Sequence, residues 1–494
     1  MKIRELPVFP LSPVPVRPGV DPDVRAVDHD LGAVGPYDGP RIGLITLGCD
    51  KNTVDSERMM ASLVGHGARV SPELLGADVV IVNTCGFIEA AKEQSIETIL
   101  EACGMKARGE VRAVVAVGCM VQRYQEELLR EIPEVDLFLG LTELERLVPE
   151  LRRRALLPDD AVPLMERPLR ILSTDTPHTS FLKISEGCDH SCSFCAIPLM
   201  RGLHRSAPLA ELVAEARSLG RSGVRELNVV SQDTTWYGRD LRRHDRGSPL
   251  LPDLLRALVE ETEVPWYRLF YMYPSGITRD LVDLLARASG ARDGAPRVLP
   301  YLDMPLQHGS DRMLRAMRRP ERRRTIVERV GWLRDAIPDL TLRTTVIVGF
   351  PGETDADFRE LLDLLEEVRF DRVGAFTYSL EEGTPAAAME EQLPESLKKE
   401  RLEELMDVQR SISFERNLEQ VGTVRTVLVD RLLEGDEAEA DFQAVGRTEG
   451  QAVDVDGVTH LVLEGGVAVR PGDMVRVEVM EALEYDLTGR VVAA

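Results

Sequence analysis

The residues in this chain best suited to chemistry are its seven cysteines, Cys49, Cys85, Cys103, Cys119, Cys188, Cys192 and Cys195. An odd number spread over 494 residues is no disulfide framework. In a reducing compartment clustered thiols serve instead as metal ligands or catalytic groups. Three of them form the run Cys188-Asp-His-Ser-Cys192-Ser-Phe-Cys195, and three thiolates within eight residues can wrap one soft metal centre. The spacing leaves room for only three protein ligands. A four-iron, four-sulfur cluster held this way keeps one iron free of protein, where a small molecule can coordinate, as at the open position of a catalytic zinc. The alternative is a structural zinc completed by His190 or a distant residue. Zinc knuckles usually carry two-residue spacers on both sides of a loop, and no second pair follows here.

The elements that must position the other cysteines are legible as an alternation. Ile42–Leu47, Val79–Val82 and Ala113–Val117 are short apolar runs of the kind buried in parallel sheets. Ser56–Val64, Ile88–Ala102 and Gln122–Ile132 between them have helical spacing. Alternation over about 110 residues predicts a doubly wound domain. Cys49, Cys85 and Cys119 directly follow the three strands, 36 and 34 residues apart. In such a sheet the strand C-termini share one edge, where ligands sit. The three are therefore expected to converge on a second centre with one open iron, the alternative being three separate buried thiols. Cys103 falls at the end of a predicted helix, outside both sets, and reads as a packed thiol.

A second alternating series begins at Phe181. The strands Phe181–Ile184, Glu226–Val230, Tyr267–Tyr271, Pro300–Asp303, Leu342–Val348 and Val373–Thr377 start about 30–45 residues apart, which leaves room for one helix per step. Six such units fit a partial barrel better than a closed eight-unit one. Glu395–Leu418 is a charged amphipathic helix with Leu397, Leu402, Leu405, Met406 and Ile412 on its apolar face. Beyond it, Gly422–Val429, Ala452–Val455, Leu461–Leu463 and Asp473–Val479 alternate as strands between Gly-rich turns, which predicts a small antiparallel barrel. The expected fold class is α/β multidomain. Residues 1–40, with eight prolines and four glycines, form a disordered extension. Residues 41–155 form the doubly wound domain, Arg152–Leu172 its exit and linker, 174–414 the partial (β/α)6 barrel and 415–485 the terminal β-barrel.

The three-then-two cysteine spacing after a first barrel strand resembles the signature of radical S-adenosylmethionine (SAM) enzymes. In that superfamily the open iron binds the amino and carboxylate groups of SAM, and electron transfer cleaves the sulfonium to a 5′-deoxyadenosyl radical. A doubly wound three-cysteine domain, such a core and a small terminal barrel together resemble the methylthiotransferases over about residues 41–485. The terminal barrel looks like their TRAM domain. The resemblance implies replacement of an unactivated C–H by C–S–CH3. It implies two 4Fe-4S clusters: a radical-generating one on Cys188, Cys192 and Cys195, and an auxiliary one on Cys49, Cys85 and Cys119 that holds or donates sulfur. It also implies SAM as radical source and methyl donor, with an electron donor such as flavodoxin or ferredoxin.

The segments Gly48-Cys49-Asp50-Lys51-Asn52, Asn83-Thr84-Cys85-Gly86-Phe87-Ile88 and Gly118-Cys119-Met120 resemble the protein-modifying branch of that family. So do Cys195-Ala196-Ile197-Pro198 and Leu302-Asp303-Met304-Pro305-Leu306-Gln307-His308. This branch acts on the β-carbon of an aspartate in small-subunit ribosomal protein twelve; the other acts on modified adenosines in tRNA. By the same resemblance Phe194 flanks the adenine of SAM. Ser231, Gln232 and Asp233 after the second barrel strand, and Gly349 and Glu353 after the fifth, contact SAM; ordinary strand-end turns are the alternative. Arg201, His204 and Arg205 follow the cluster loop as candidates to steady the cofactor carboxylate or the substrate aspartate. A purely structural role accounts equally well for His204.

Charge bears on the partner independently. The chain carries 60 Lys+Arg against 83 Asp+Glu, a net charge of −23, and residues 417–494 hold sixteen acidic residues, six arginines and no lysine, net −10. An RNA-binding barrel should be neutral to basic where it meets phosphate, so direct tRNA binding is not expected and a basic ribosomal protein is the expected partner. The plain alternative is that acidic surface serves solubility. No run of 18 apolar residues suits a membrane span, and MKIRELPVFP lacks the apolar core of a secretory signal, so a cytoplasmic location is expected. The competing functions are a tRNA methylthiotransferase and a non-catalytic metal-binding protein that contacts the ribosome.

Overall fold

The computed structural model describes residues 24–26, 39–159, 169–173, 176–290, 296–433, 442–464 and 467–492. Almost all of the 1–40 extension, and residues 160–168 of the linker, lie outside the described residues. The chain divides into two compact units, one made of residues up to 189 with 196–224, the other of 190–195 with 225–494.

In the first unit, β1 (Arg41–Thr46), β2 (Arg69–Ser71), β3 (Val79–Thr84), β4 (Ala113–Gly118) and β5 (Leu137–Gly140) form one sheet in the order β2-β1-β3-β4-β5. Every pairing in it is parallel. β3 and β4, Val-Val-Ile-Val-Asn-Thr and Ala-Val-Val-Ala-Val-Gly, are buried at every residue because apolar layers cover both faces. The helices α1 (Asp50–Gly65), α2 (Glu89–Ala107) and α3 (Cys119–Glu131) follow β1, β3 and β4. α1 starts six residues before the helix expected at Ser56, directly behind Cys49, whose carbonyl accepts from Asn52 and Thr53 (2.8 and 3.1 Å). β2 and β5 are further strands, too short to show a pattern in the sequence. Strand β6 (Thr179–Lys183) and the helices α4 (Ile197–Arg201) and α5 (Leu209–Arg221) complete the unit.

In the second unit, β7 (Glu226–Val230), β8 (Trp266–Leu269), β9 (Val298–Asp303), β10 (Thr341–Val348) and β11 (Arg372–Thr377) pair in parallel, in chain order. The helices α6 (Leu251–Glu261), α7 (Arg279–Ala288), α8 (Arg323–Ala336) and α9 (Asp355–Val368) connect them. β10 alternates strictly, burying Leu342, Thr344, Val346 and Val348. Helix α10 spans Glu395–Leu418, as its pattern predicts. The chain then closes a five-stranded barrel from β12 (Val424–Leu432), β13 (Ala444–Thr448), β14 (Thr459–Val462), β15 (Met474–Ala482) and β16 (Leu487–Val491), in the order β12-β13-β14-β16-β15.

This barrel differs from expectation at three points. Ala452–Val455 is a turn rather than a strand, with Asp454 at φ 64°. The last strand lies beyond residue 485. The β14–β16 pairing is parallel because β16 reverses the direction of β15, so the barrel is not wholly antiparallel. Its inner wall packs Val427, Val429, Ala444, Leu461, Val469 and Val477.

The barrel is fastened to the first residues of the sheet strands. Glu226 at the start of β7 accepts from Arg268 Nε (2.7 Å) and Arg447 Nη1 (2.5 Å), and Arg447 also donates to Asp430. The side chains of Glu226 and Arg268 are fully buried. Tyr301 Oη donates to Asp456 (2.8 Å) a little further along. The C-terminal strand ends of the same sheet stay clear of these contacts, and the candidate site residues lie there.

Candidate active site

Within the first unit Cys49, Cys85 and Cys119 each lie just beyond a strand of one parallel sheet. Cys49 caps α1, Cys85 follows β3 and Cys119 opens α3. β1 lies between β2 and β3, so the order of strands reverses there, which places the site at a topological switch point.

Glycines let the strand ends come this close. A Cβ on Gly48 (φ 94°) would lie 2.7 Å from Cys85 Cβ and 2.8 Å from its sulfur. On Gly118 (φ 103°) it would lie 2.5 Å from Asn83 Oδ1 and 2.6 Å from the Thr84 carbonyl. Both backbones occupy a region that side chains avoid. Ser95 Oγ fixes the Cys85 backbone from both sides, accepting from its N–H (3.1 Å) and donating to its carbonyl (2.9 Å).

Burial pushes Cys85 up to about 11 and Cys119 up to about 12, and the neighbouring Cys49 adds to both shifts. Held as thiolates, these groups need a positive centre among them, which iron supplies; Cys49, by contrast, is exposed and leaves one side open. The donor set therefore fits an iron–sulfur cluster. Cys103 packs in the apolar layer beneath α2, as expected of an incidental thiol.

Two polar residues complete this site. Asn52, fully buried, donates to the carbonyls of Leu47 (2.8 Å) and Thr84 (3.1 Å), tying the ends of β1 and β3 together. Its Oδ1 accepts from Cys119 Sγ (3.7 Å) and from Arg201 Nη2 (2.6 Å). Arg201, 3% exposed at the end of α4, also donates to Asp55 (3.2 Å) and Glu186 (2.7 Å), carboxylates that Lys183 shares. Burial alone would lower the guanidinium's pKa, but the charges of Cys119, Asp55 and Glu186 outweigh it and hold it well above the usual arginine range.

Arg201, a candidate to steady a cofactor or substrate carboxylate, places its guanidinium on Asn52, Asp55 and Glu186. His204 is buried with Nε2 3.1 Å from Ser206 Oγ, while Arg205 is exposed.

The second cysteine set follows β6. Cys188 belongs to the first unit, its N–H donating to the Gly202 carbonyl (3.0 Å). Cys192 and Cys195 belong to the second. Ser193 between them is pinned by Met317 (3.0 Å) and Ala316 (2.8 Å) carbonyls, and its own carbonyl accepts from Ala386 N–H (2.8 Å). Phe194 packs against Met313, Met317, Phe350 and Tyr378, so an apolar wall holds the loop.

The strand-end candidates are placed as follows. Asp233 is buried after β7; its Oδ1 accepts from Thr235 N–H (2.9 Å) and Oγ1 (2.6 Å), and its Oδ2 lies 2.7 Å from His190 Nε2. Ser231 donates to the Asp233 carbonyl (3.3 Å), and Gln232 is half-buried beside them. After β10, Glu353 accepts from Gly349 N–H (2.9 Å) and Arg401 (2.7 Å) and lies 3.2 Å from His308 Nε2. Both oxygens of Asp233 and of Glu353 thus have partners, which tie Asp233 to the cysteine loop through His190 and Glu353 to α10 through Arg401. Asn52 and Asp55 were not legible as site residues; only Asn52 carried a signal, standing one helical turn after Cys49.

Comparison with known proteins agrees with this architecture. Residues 41–140 match the uncharacterized protein family UPF0004, 182–365 the radical SAM superfamily and 421–492 the TRAM domain. The fold is that of a radical SAM methylthiotransferase, an enzyme class that uses an iron–sulfur cluster and SAM. Curated relatives named ribosomal protein uS12 methylthiotransferase RimO include those of Anaeromyxobacter sp. strain K (46% identical, 92% of this chain and 93% of the relative) and Symbiobacterium thermophilum (45%, 91% and 90%). That of Geobacter sulfurreducens is 42% identical over 92% of this chain and 99% of its own. The chain belongs to the RimO family. No helix among the described residues is long and apolar enough to cross a membrane.

Proposed function

We propose that this enzyme methylthiolates the β-carbon of an aspartate in ribosomal protein uS12, with two four-iron clusters. What supports the reading is the placement of Cys49, Cys85 and Cys119 just beyond three parallel strands of one sheet, in a chain that holds a second three-cysteine loop. When bound, the cluster on Cys188, Cys192 and Cys195 supplies with SAM the radical that takes a hydrogen, and the cluster on Cys49, Cys85 and Cys119 supplies the sulfur. A one-electron donor such as flavodoxin or ferredoxin serves as reductant.

The protein's own residues position and shield. Phe194 and its apolar neighbours fix the loop and exclude water. Asp233 orients His190 within that loop, and Glu353 braces the turn after β10; Ser231, Gln232 and Gly349 line the same strand ends, where SAM is expected. Asn52 and Arg201 keep the three auxiliary thiols in register.

A basic protein substrate is supported by the acidic terminal barrel, where Asp454, Asp473, Glu481 and Glu484 are exposed, as are the apolar side chains of Met480 and Leu483. Such a surface repels tRNA.

Anaerobically reconstituted protein is expected to bind about eight irons, two four-iron clusters. Cys192→Ala should abolish deoxyadenosine formation, whereas Cys85→Ala should retain part of it and lose methylthiolation of uS12. Full product formation by both variants would overturn the assignment.

A further inference from the structure

Arg319, just beyond the helix Asp311–Ala316, is 2% exposed. Its Nη1 donates to Cys192 Sγ (3.8 Å), its Nη2 to the Pro305 carbonyl (2.8 Å), and its Nε lies 3.2 Å from Glu321 Oε2 without the alignment of a hydrogen bond. The guanidinium sits 3.9 Å from the ring centre of Tyr273. Tyr273 in turn stacks on His190, with centres 4.5 Å apart and planes within 4°. His190 is the residue that Asp233 holds at 2.7 Å. From Cys192 the contacts run through Arg319, Tyr273 and His190 and return to the cysteine loop two residues before Cys192.

We propose that Arg319 is a positioning residue that raises the reduction potential of the cluster bound through Cys192, and that the Asp233–His190–Tyr273 stack holds its guanidinium in place. The proposal rests on the reading of Cys188, Cys192 and Cys195 as cluster ligands.

A neutral thiol is a weak acceptor. A buried guanidinium aimed at sulfur makes physical sense against a thiolate, where the hydrogen bond is charge-assisted. One-electron reduction adds a negative charge to the cluster while the donor loses one electron, and arginine stays protonated throughout. A fixed cation in a water-poor site stabilises the reduced form more than the oxidised one, and hydrogen bonds to the sulfurs act in the same direction. Glu321 opposes this effect by partly neutralising Arg319. A residue needed only for packing would leave the potential unchanged once the cluster was in place.

The test is a mediator titration of the reconstituted full-length Cys49→Ala/Cys85→Ala/Cys119→Ala protein, followed by the EPR signal of the reduced cluster. In this background Arg319→Met is expected to lower the reduction equilibrium at least tenfold, about 59 mV for a one-electron couple. Arg319→Lys should recover part of that loss. Glu321→Gln should shift the potential the other way and serves where the methionine variant fails to hold iron. If the background protein binds no iron, the ligand reading falls. If it carries a cluster whose potential is unmoved by Arg319→Met, or by Glu321→Gln where that variant takes its place, the Arg319 inference falls and the ligand reading stands.

Discussion

Replacing Arg201 with methionine removes the guanidinium that joins Asn52, Asp55 and Glu186 beside the strand-end cysteines. Taking one partner from a buried ion pair costs about 3–5 kcal/mol, because the other charge is left stranded. Here Lys183 still reaches both Asp55 and Glu186, which places the ionic loss near the lower end, about 3 kcal/mol. Asn52 Oδ1 also loses its strongest donor, which adds about 1 kcal/mol. The assay is urea unfolding of the metal-free protein at neutral pH, read on the transition of the unit that contains residues 41–159, beside Arg201→Lys, which should retain part of the stability. A loss of about 3–4 kcal/mol, together with reduced iron uptake at the auxiliary site, is expected. A loss below about 1 kcal/mol, the scale of an exposed ion pair, would refute the view that this network is what seats Cys119.

Three further outcomes follow from the same geometry. Gly118→Ala forces a Cβ into Asn83 and Thr84 at a glycine-only backbone conformation, a strain of about 1–3 kcal/mol before the overlap is counted; iron and sulfide per chain should fall while the Radical-SAM-type cluster on the other cysteines persists. Glu226→Leu strands Arg268 and Arg447 and should cost about 3–5 kcal/mol, seen as earlier proteolysis near residues 421–492; unchanged digestion would count against the barrel's attachment through this triad. Burial alone would raise the Glu186 pKa, but Lys183 and Arg201 overcome it and hold the carboxyl down to about 2 from its usual 4.5. The unfolded chain then takes up the proton first as pH falls, so this contribution to stability is full above about 4.5 and is lost between 4.5 and about 2. Acid titration of Glu186→Gln should show a shallower decline over that window than the parent protein.

Most strands were legible because each depends on local pattern. An apolar run followed within three residues by a cysteine occurs three times, at Cys49, Cys85 and Cys119, and each run is a parallel strand with a thiol just beyond its end. The partners of Arg201 were not legible for a spatial reason. In the sequence it neighbours the Cys188–Cys195 loop, but α4 directs it to Asn52, 149 positions away. Arg319 gave no signal, since it meets Cys192 from 127 positions downstream and sits among several other arginines. In the terminal barrel, Ala444–Thr448 and Leu487–Val491 carry Gly and Arg at positions that break alternation, so they escaped notice. Ala452–Val455 alternates correctly yet turns at Asp454, because the loop is drawn towards Tyr301 by Asp456.

The central claim concerns what the two cysteine sites accomplish together, and mass spectrometry of uS12 and of bulk tRNA nucleosides from a strain lacking this gene tests it most directly. The account predicts uS12 without a methylthio group on its aspartate, restored by the wild-type chain but by neither Cys192→Ala nor Cys85→Ala, with tRNA nucleosides unchanged. Fully modified uS12 in the deletion strain, accompanied by loss of methylthio groups from tRNA, would contradict it.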